Sequence, residues 1–181
     1  MKNYKIFIFL FPFVLLIVAA ILIFALGSRP KMYGNDIASM ETMIAQQLKT
    51  DETVTVFDTI DVEKCRYAGY IAGETQYAYA QFKANEHGDY ELVEVKRASH
   101  LVRRAFDVSV SYSSLIKENE TESTSYLVVV SSNPQLADIE WVIGGDIRRY
   151  PVDSNPSIHV FELPGQFSQY FFYDQSGSKM D

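Results

Sequence analysis

The chain has 181 residues and carries 16 Lys and Arg against 23 Asp and Glu, a formal charge of −7 at neutral pH. That surplus of acid repels nucleic acid and anionic lipid headgroups, so nucleic-acid binding is not expected. Cys65 is the only cysteine, and an internal disulfide is therefore excluded.

The first strong signal is the segment 6–26. Its 21 residues carry no charge and are all apolar apart from Pro12. As a helix rising about 1.5 Å per residue they would cover roughly 31 Å, which matches the ~30 Å hydrocarbon core of a bilayer. The apolar region of a signal peptide is shorter, about 7–15 residues. Length predicts a retained transmembrane helix, even though Ala25-Leu26-Gly27 has the small-x-small pattern of a processing site. Lys2, Tyr4 and Lys5 on one side, and Arg29, Lys31 and Tyr33 on the other, suit the headgroup zone.

The expected layout is a cytoplasmic tail at 1–5, a transmembrane helix at 6–26 in contact with membrane lipid, a linker at 27–35 and an extracytoplasmic β-rich domain at 36–181. The basic-residue bias that sets this orientation is small: two lysines and the terminal amine before the span, Arg29 and Lys31 after it. All 23 acids follow the span, against 14 Lys and Arg, so the domain is strongly anionic. An exported domain without disulfides fits a bacterial cell envelope. Type IV pilins and pseudopilins also place one apolar helix before a sheet domain. They carry a glutamate early in the apolar segment, and Ile6–Leu26 holds no acid. No family is assigned on these residues.

After the linker, "NDIASMETMIAQQLK" places Ile37, Met40, Ile44 and Leu48 at helical spacing. Asn35 or Asp36 can cap the first turn. A short amphipathic helix is predicted. The pattern then turns extended. "TVTVFDTI", "RYAGYIAGETQYAYAQFKA" and "DYELVEVKR" read as strands, with a hairpin loop at Asn85–Gly88. "FDVSVSY" alternates Phe106, Val108, Val110 and Tyr112 with Asp107, Ser109 and Ser111, which predicts one dry and one wet face. "IKENETESTS" is polar and reads as an exposed loop. "YLVVV" reads as a buried strand, and "IEWVIGGDIRRY" as a hairpin with Gly144-Gly145 at its tip. "SIHVFEL" and "QYFFYD" complete about nine extended segments, a number taken from the residue pattern alone.

The fold class is therefore α+β, mostly β. The short helix packs on an antiparallel sheet that is curled or doubled into two layers, because no crossover helices separate the strands. The helix stripe is expected to lie on the strand face that carries Ala78 and Ala80, where small side chains leave room.

The chemical inventory is thin. His87, His100 and His159 lie far apart, and no pair has metal-ligand spacing, so no metal site is predicted. No nucleophile elbow or phosphate-cradling glycine loop is present, and no cofactor is expected. Cys65 is expected to be a small buried residue. Asp58 with Asp61, and Glu91 with Glu94, read as solvated acids. "YDQSGS" reads as a polar turn, since the chain ends before the glutamate that a calcium loop needs. Asn119-Glu120-Thr121 fits a glycosylation pattern that chance supplies easily. Lys96-Arg97, Arg103-Arg104 and Arg148-Arg149 read as surface pairs. No catalytic, cofactor-binding or metal residue is singled out.

The sequence thus points to a non-enzymatic binding or accessory module at the envelope, with an envelope protein or wall polymer as partner. The alternatives are an envelope hydrolase, which would need a cleft joining Cys65 or paired acids to a histidine, and a small-ligand sensor.

Overall fold

A computed structural model describes residues 16–18, 31–116, 123–163 and 167–180. Most of the expected span at 6–26 lies outside the described residues, and Leu16–Val18 are helical. Among the described residues no helix is long and apolar enough to cross a membrane. The chain divides into two units, Met1–Met32 and Tyr33–Asp181.

Helix α1 spans Ile37–Leu48. Asp36 caps it: its carboxylate accepts from the Ser39 amide at 2.9 Å and the Ser39 hydroxyl at 2.8 Å. Those bonds hold the Asp36 carboxyl below its ordinary pKa. Asn35, the other capping candidate, is fastened elsewhere. It accepts from the Tyr90 amide at 2.9 Å and donates to Asp89 at 2.8 Å. The Gly34 amide also donates to the Tyr90 carbonyl at 2.7 Å. The last residues of the expected linker are therefore bonded into the domain. Lys49 ends the helix in the left-handed region, with φ of 55°.

Four consecutive strands then form an antiparallel meander: β1 (Val54–Val62), β2 (Cys65–Ala72), β3 (Gln76–Ala84) and β4 (Tyr90–Val95). The β3–β4 loop is the expected hairpin. Asn85 Oδ1 accepts from the His87 and Asp89 amides, and Gly88 takes φ of 87°. The second sheet has the order β10-β7-β6-β5, built from β5 (Val102–Ala105), β6 (Val108–Ile116), β7 (Ser123–Ser131) and β10 (Ser157–Leu163). The third has the order β12-β11-β8-β9, from β8 (Leu136–Ile143), β9 (Asp146–Pro151), β11 (Phe167–Asp174) and β12 (Lys179–Met180). Gly144 and Gly145 form the β8–β9 turn with φ of 57° and 95°, as the diglycine predicts.

The expected antiparallel sheet, curled or two-layered, is thus corrected to three four-stranded antiparallel sheets among the described residues. Two strands escape a sequence reading. β5 is four residues long and half of it is Arg103-Arg104, which hides the alternation. β12 has only two residues. The segment "IKENETESTS" contributes its ends to β6 and β7. Its middle, with Asn119–Thr121, lies outside the described residues.

Period two explains how the layers stack. On the first sheet Ala68, Tyr70, Ala78, Ala80 and Phe82 share a face: Ala68 pairs with Ala80, Tyr70 with Ala78, and Phe82 follows Ala80 at period two. Met40 and Ile44 of α1 are buried, and Gly34 sits against both the Phe82 ring and Met40, so the helix lies on that alanine-bearing face as expected. Ile37, the first member of the predicted stripe, stays 55% exposed. Replacing Ala80 with Trp should overpack this contact and cost about 1–3 kcal/mol. An unchanged denaturation midpoint would refute the placement.

The opposite face of the first sheet meets the second. Val128, Val130 and Ile158 belong to the first core cluster. Gly69 permits the approach: a Cβ there would lie 2.5 Å from the Phe57 ring and 3.2 Å from the Ile158 Cβ. Phe57 itself sits at a bulge in β1, between Val56 and Asp58. The alternate residues Leu127 and Val129, with Val108 and Val110, pack against Leu136, Ile139, Trp141 and Phe172 of the third sheet. The second sheet is therefore covered on both faces. That is why "YLVVV" reads as an unbroken apolar run.

Candidate functional site

The covering of the second sheet changes the reading of "FDVSVSY". Its serine face is largely covered: Ser113 is buried, and Ser109 and Ser111 are half-buried. Ser109, Ser111 and Ser113 pair in register with Val130, Val128 and Tyr126, the residues that face the first sheet. Phe106 and Asp107 form a turn before the strand, and Phe106 is exposed. Val108 and Val110 are buried as predicted, whereas Tyr112, beside Tyr170 of the third sheet, is 52% exposed.

Ser113, the buried member of that face, joins a polar layer between the first two sheets. The Tyr67 hydroxyl donates to Ser113 Oγ at 3.3 Å. The Ser113 hydroxyl donates to Gln81 Oε1 at 3.1 Å. Gln81 Nε2 donates to Cys65 Sγ at 3.9 Å, a weak sulfur contact. Ser113 is 7% exposed and Gln81 3%. Polar groups this deep persist because they satisfy one another. Burial pushes the Tyr67 phenol up to about 12 and the Cys65 thiol above its ordinary value, against the pull of Gln81 and Lys83. Cys65 is a buried, protonated thiol in this setting, as its expected role requires.

This layer opens at one side into a cleft of about 500 Å³. Gln81 and Ser113 form its floor, Lys83, Glu94 and Lys96 its charged wall, and Val93, Tyr112 and Ser114 its mouth. Lys96 Nζ lies 2.7 Å from Glu94 Oε1. A second, smaller cleft of about 220 Å³ lies at the C-terminal end of α1, where Arg97 donates to the Leu48 carbonyl at 3.1 Å.

The larger cleft is of a size that takes small ligands or a few residues of chain. Its polar groups can hold and orient a ligand. Among its lining residues there is no histidine or cysteine.

The structure does not gather the other candidate residues. His87 is exposed in the β3–β4 loop and His100 in the short 3-10 turn Ala98–His100. His159 stacks on Phe161 with ring centroids 6.1 Å apart. Burial lowers its pKa. Among the described residues no three His, Cys, Asp or Glu could hold a metal. Asp58 and Asp61 turn to opposite faces, opposite Gly69 and Arg66 respectively. Asp61 pairs with Arg66 at 2.7 Å, which lowers its pKa. Asp174 is the hub of a polar turn, accepting from the Ser176 and Ser178 amides at 2.9 Å. Of the basic pairs, Arg103 meets Asp107 at 2.7 Å and Arg149 meets Glu140 at 3.0 Å.

Sequence reading missed the cleft. Gln81 and Lys83 stand in a tyrosine-rich strand, and nothing local marks them as lining a cavity. The available signal was indirect. Serine alternating with valine marks two different packing partners as readily as one core and one solvent face. Set against protein-family models, curated proteins and solved structures, the chain matches none of them.

Proposed function

We propose that the chain is a single-pass membrane-anchored binding module. Its β-rich domain stands outside the cytoplasm of a bacterial cell and holds an envelope partner in the cleft between the first and second sheets. The cleft carries this reading: a satisfied polar floor, a charged wall and exposed Val93 and Tyr112 at its mouth. Exposed aromatic side chains beside a concavity are common interface anchors. The anchor rests on the apolar run at 6–26, whose length suits a bilayer. Binding fits the lining better than hydrolysis, which needs a nucleophile beside a base.

The test places the photo-crosslinker p-benzoylphenylalanine at position 112 and, as a control, at Ile147 on the outer strand β9. Irradiated cells should yield an adduct from position 112 alone, and the adduct should sediment with membranes after lysis without detergent. Equal adducts at both positions, or full-length protein in the aqueous fraction, would overturn the reading.

A further inference from the structure

The cleft runs along the edge of a strand. Tyr112, Ser113 and Ser114 are consecutive in β6 and all three line it. Neighbouring residues of a strand point to opposite faces, so a cavity that touches three in a row must follow the strand's backbone. The pairing explains why that backbone is open. β7 lies beside β6 over its whole length, from Val108 to Ile116. On the other side β5 pairs only with Val108, Ser109 and Val110. From Ser111 to Ile116 that edge has no strand beside it among the described residues. The facing wall is also an edge, because β4 is the last strand of the first sheet and contributes Val93 and Glu94.

Free edges are normally blunted. β5 is short and carries Arg103-Arg104, and β9 carries Arg148-Arg149 and ends at Pro151. The β6 edge is different: apolar surface is exposed beside it, with Tyr112 at 52% and Val93 at 57%. The open stretch Ser111–Ile116 extends over about 20 Å at ~3.3 Å per residue. That is room for a short strand, and the cleft volume suits a few residues of chain.

We propose that the cleft binds an extended segment of a partner protein, which continues the lane of β5 by pairing with β6 between Ser111 and Ile116. The proposal rests on the binding-module reading and names the ligand class of that same site. Backbone hydrogen bonds to the β6 edge hold the segment, and its alternate side chains meet two surfaces. One set faces Gln81, Lys83 and Ser113, and favours polar residues. The other set lies on the side of Tyr112 and favours apolar or aromatic residues.

The probe is a displayed library of random twelve-residue peptides, selected on the full chain in detergent. Enriched peptides should alternate polar with apolar residues and slow amide exchange between Ser111 and Ile116. N-methylation of every second backbone amide should weaken binding more than tenfold in one register and little in the other. No enrichment, protection at another surface or indifference to N-methylation would overturn the proposal. So would a dimer of the chain that already protects Ser111–Ile116. An adduct at position 112 in cells, without peptide enrichment, would leave the binding-module reading standing with a non-peptide ligand. Loss of both would remove that reading as well.

Discussion

Trp141→Ala is expected to lower the unfolding free energy by about 3–5 kcal/mol, the range for removing a large buried aromatic side chain. Trp141 is among the largest fully buried side chains, in the core between the second and third sheets. Its ring lies 5.1 Å from that of Phe161, which in turn lies 4.8 Å from Tyr150. Tyr170 and Ile139 also border this core. Trp141 is the largest side chain that the third sheet buries, beside Leu136, Ile139 and Phe172, and the sheet's other face carries a polar cluster. There Glu140 accepts from Arg149 at 3.0 Å and from the Tyr173 hydroxyl at 3.1 Å. Urea denaturation followed by tryptophan-independent circular dichroism measures the loss. A change below about 1 kcal/mol would contradict the packing, since a cavity of that size cannot be left so cheaply.

Phe82→Ala should also cost about 3–5 kcal/mol, and it carries a sharper corollary. The Phe82 ring is fully buried beneath the start of α1. A Cβ on Gly34 would lie 2.6 Å from two of its carbons and 3.1 Å from Met40 Cγ. Gly34→Ala should therefore cost about 1–3 kcal/mol by overpacking. In the Phe82→Ala background it should cost much less, because the obstructing ring is gone and only the flexible methionine must shift. The interaction energy from the double-mutant cycle measures this contact directly. An equal cost for Gly34→Ala in both backgrounds would show that the glycine is there for some other reason.

Much of the fold was legible where local and global preferences agree. The α1 stripe, the Asn85–Gly88 loop and the diglycine hairpin each follow from rules that act within a few residues. The alanines at 78 and 80 also announced the helix that covers them. What was not legible came from pairing at a distance. A valine–serine alternation marks two faces, but not what lies beyond each. A solvent-facing serine and one beneath a second sheet look the same in sequence until that sheet is placed. The cleft suffers from the same ambiguity. It exists because β5 stops at Val102 while β6 runs on to Ile116, and a mismatch in strand length leaves no local mark. The number of sheets was lost for a related reason. The third sheet closes only when β11 returns to β8 past the intervening β9 and β10.

The order of strands also bears on how the domain comes together as it is made. The strands of the first sheet are consecutive, so the meander can assemble as soon as the chain up to residue 95 is free to fold. Its helix-facing side is then covered, yet its tyrosine-rich side must wait for β7 and β10. During that interval Tyr67, Tyr79 and Gln81 present an uncovered sticky surface to everything nearby. The final third of the chain thus supplies the cover for one face of its first sheet.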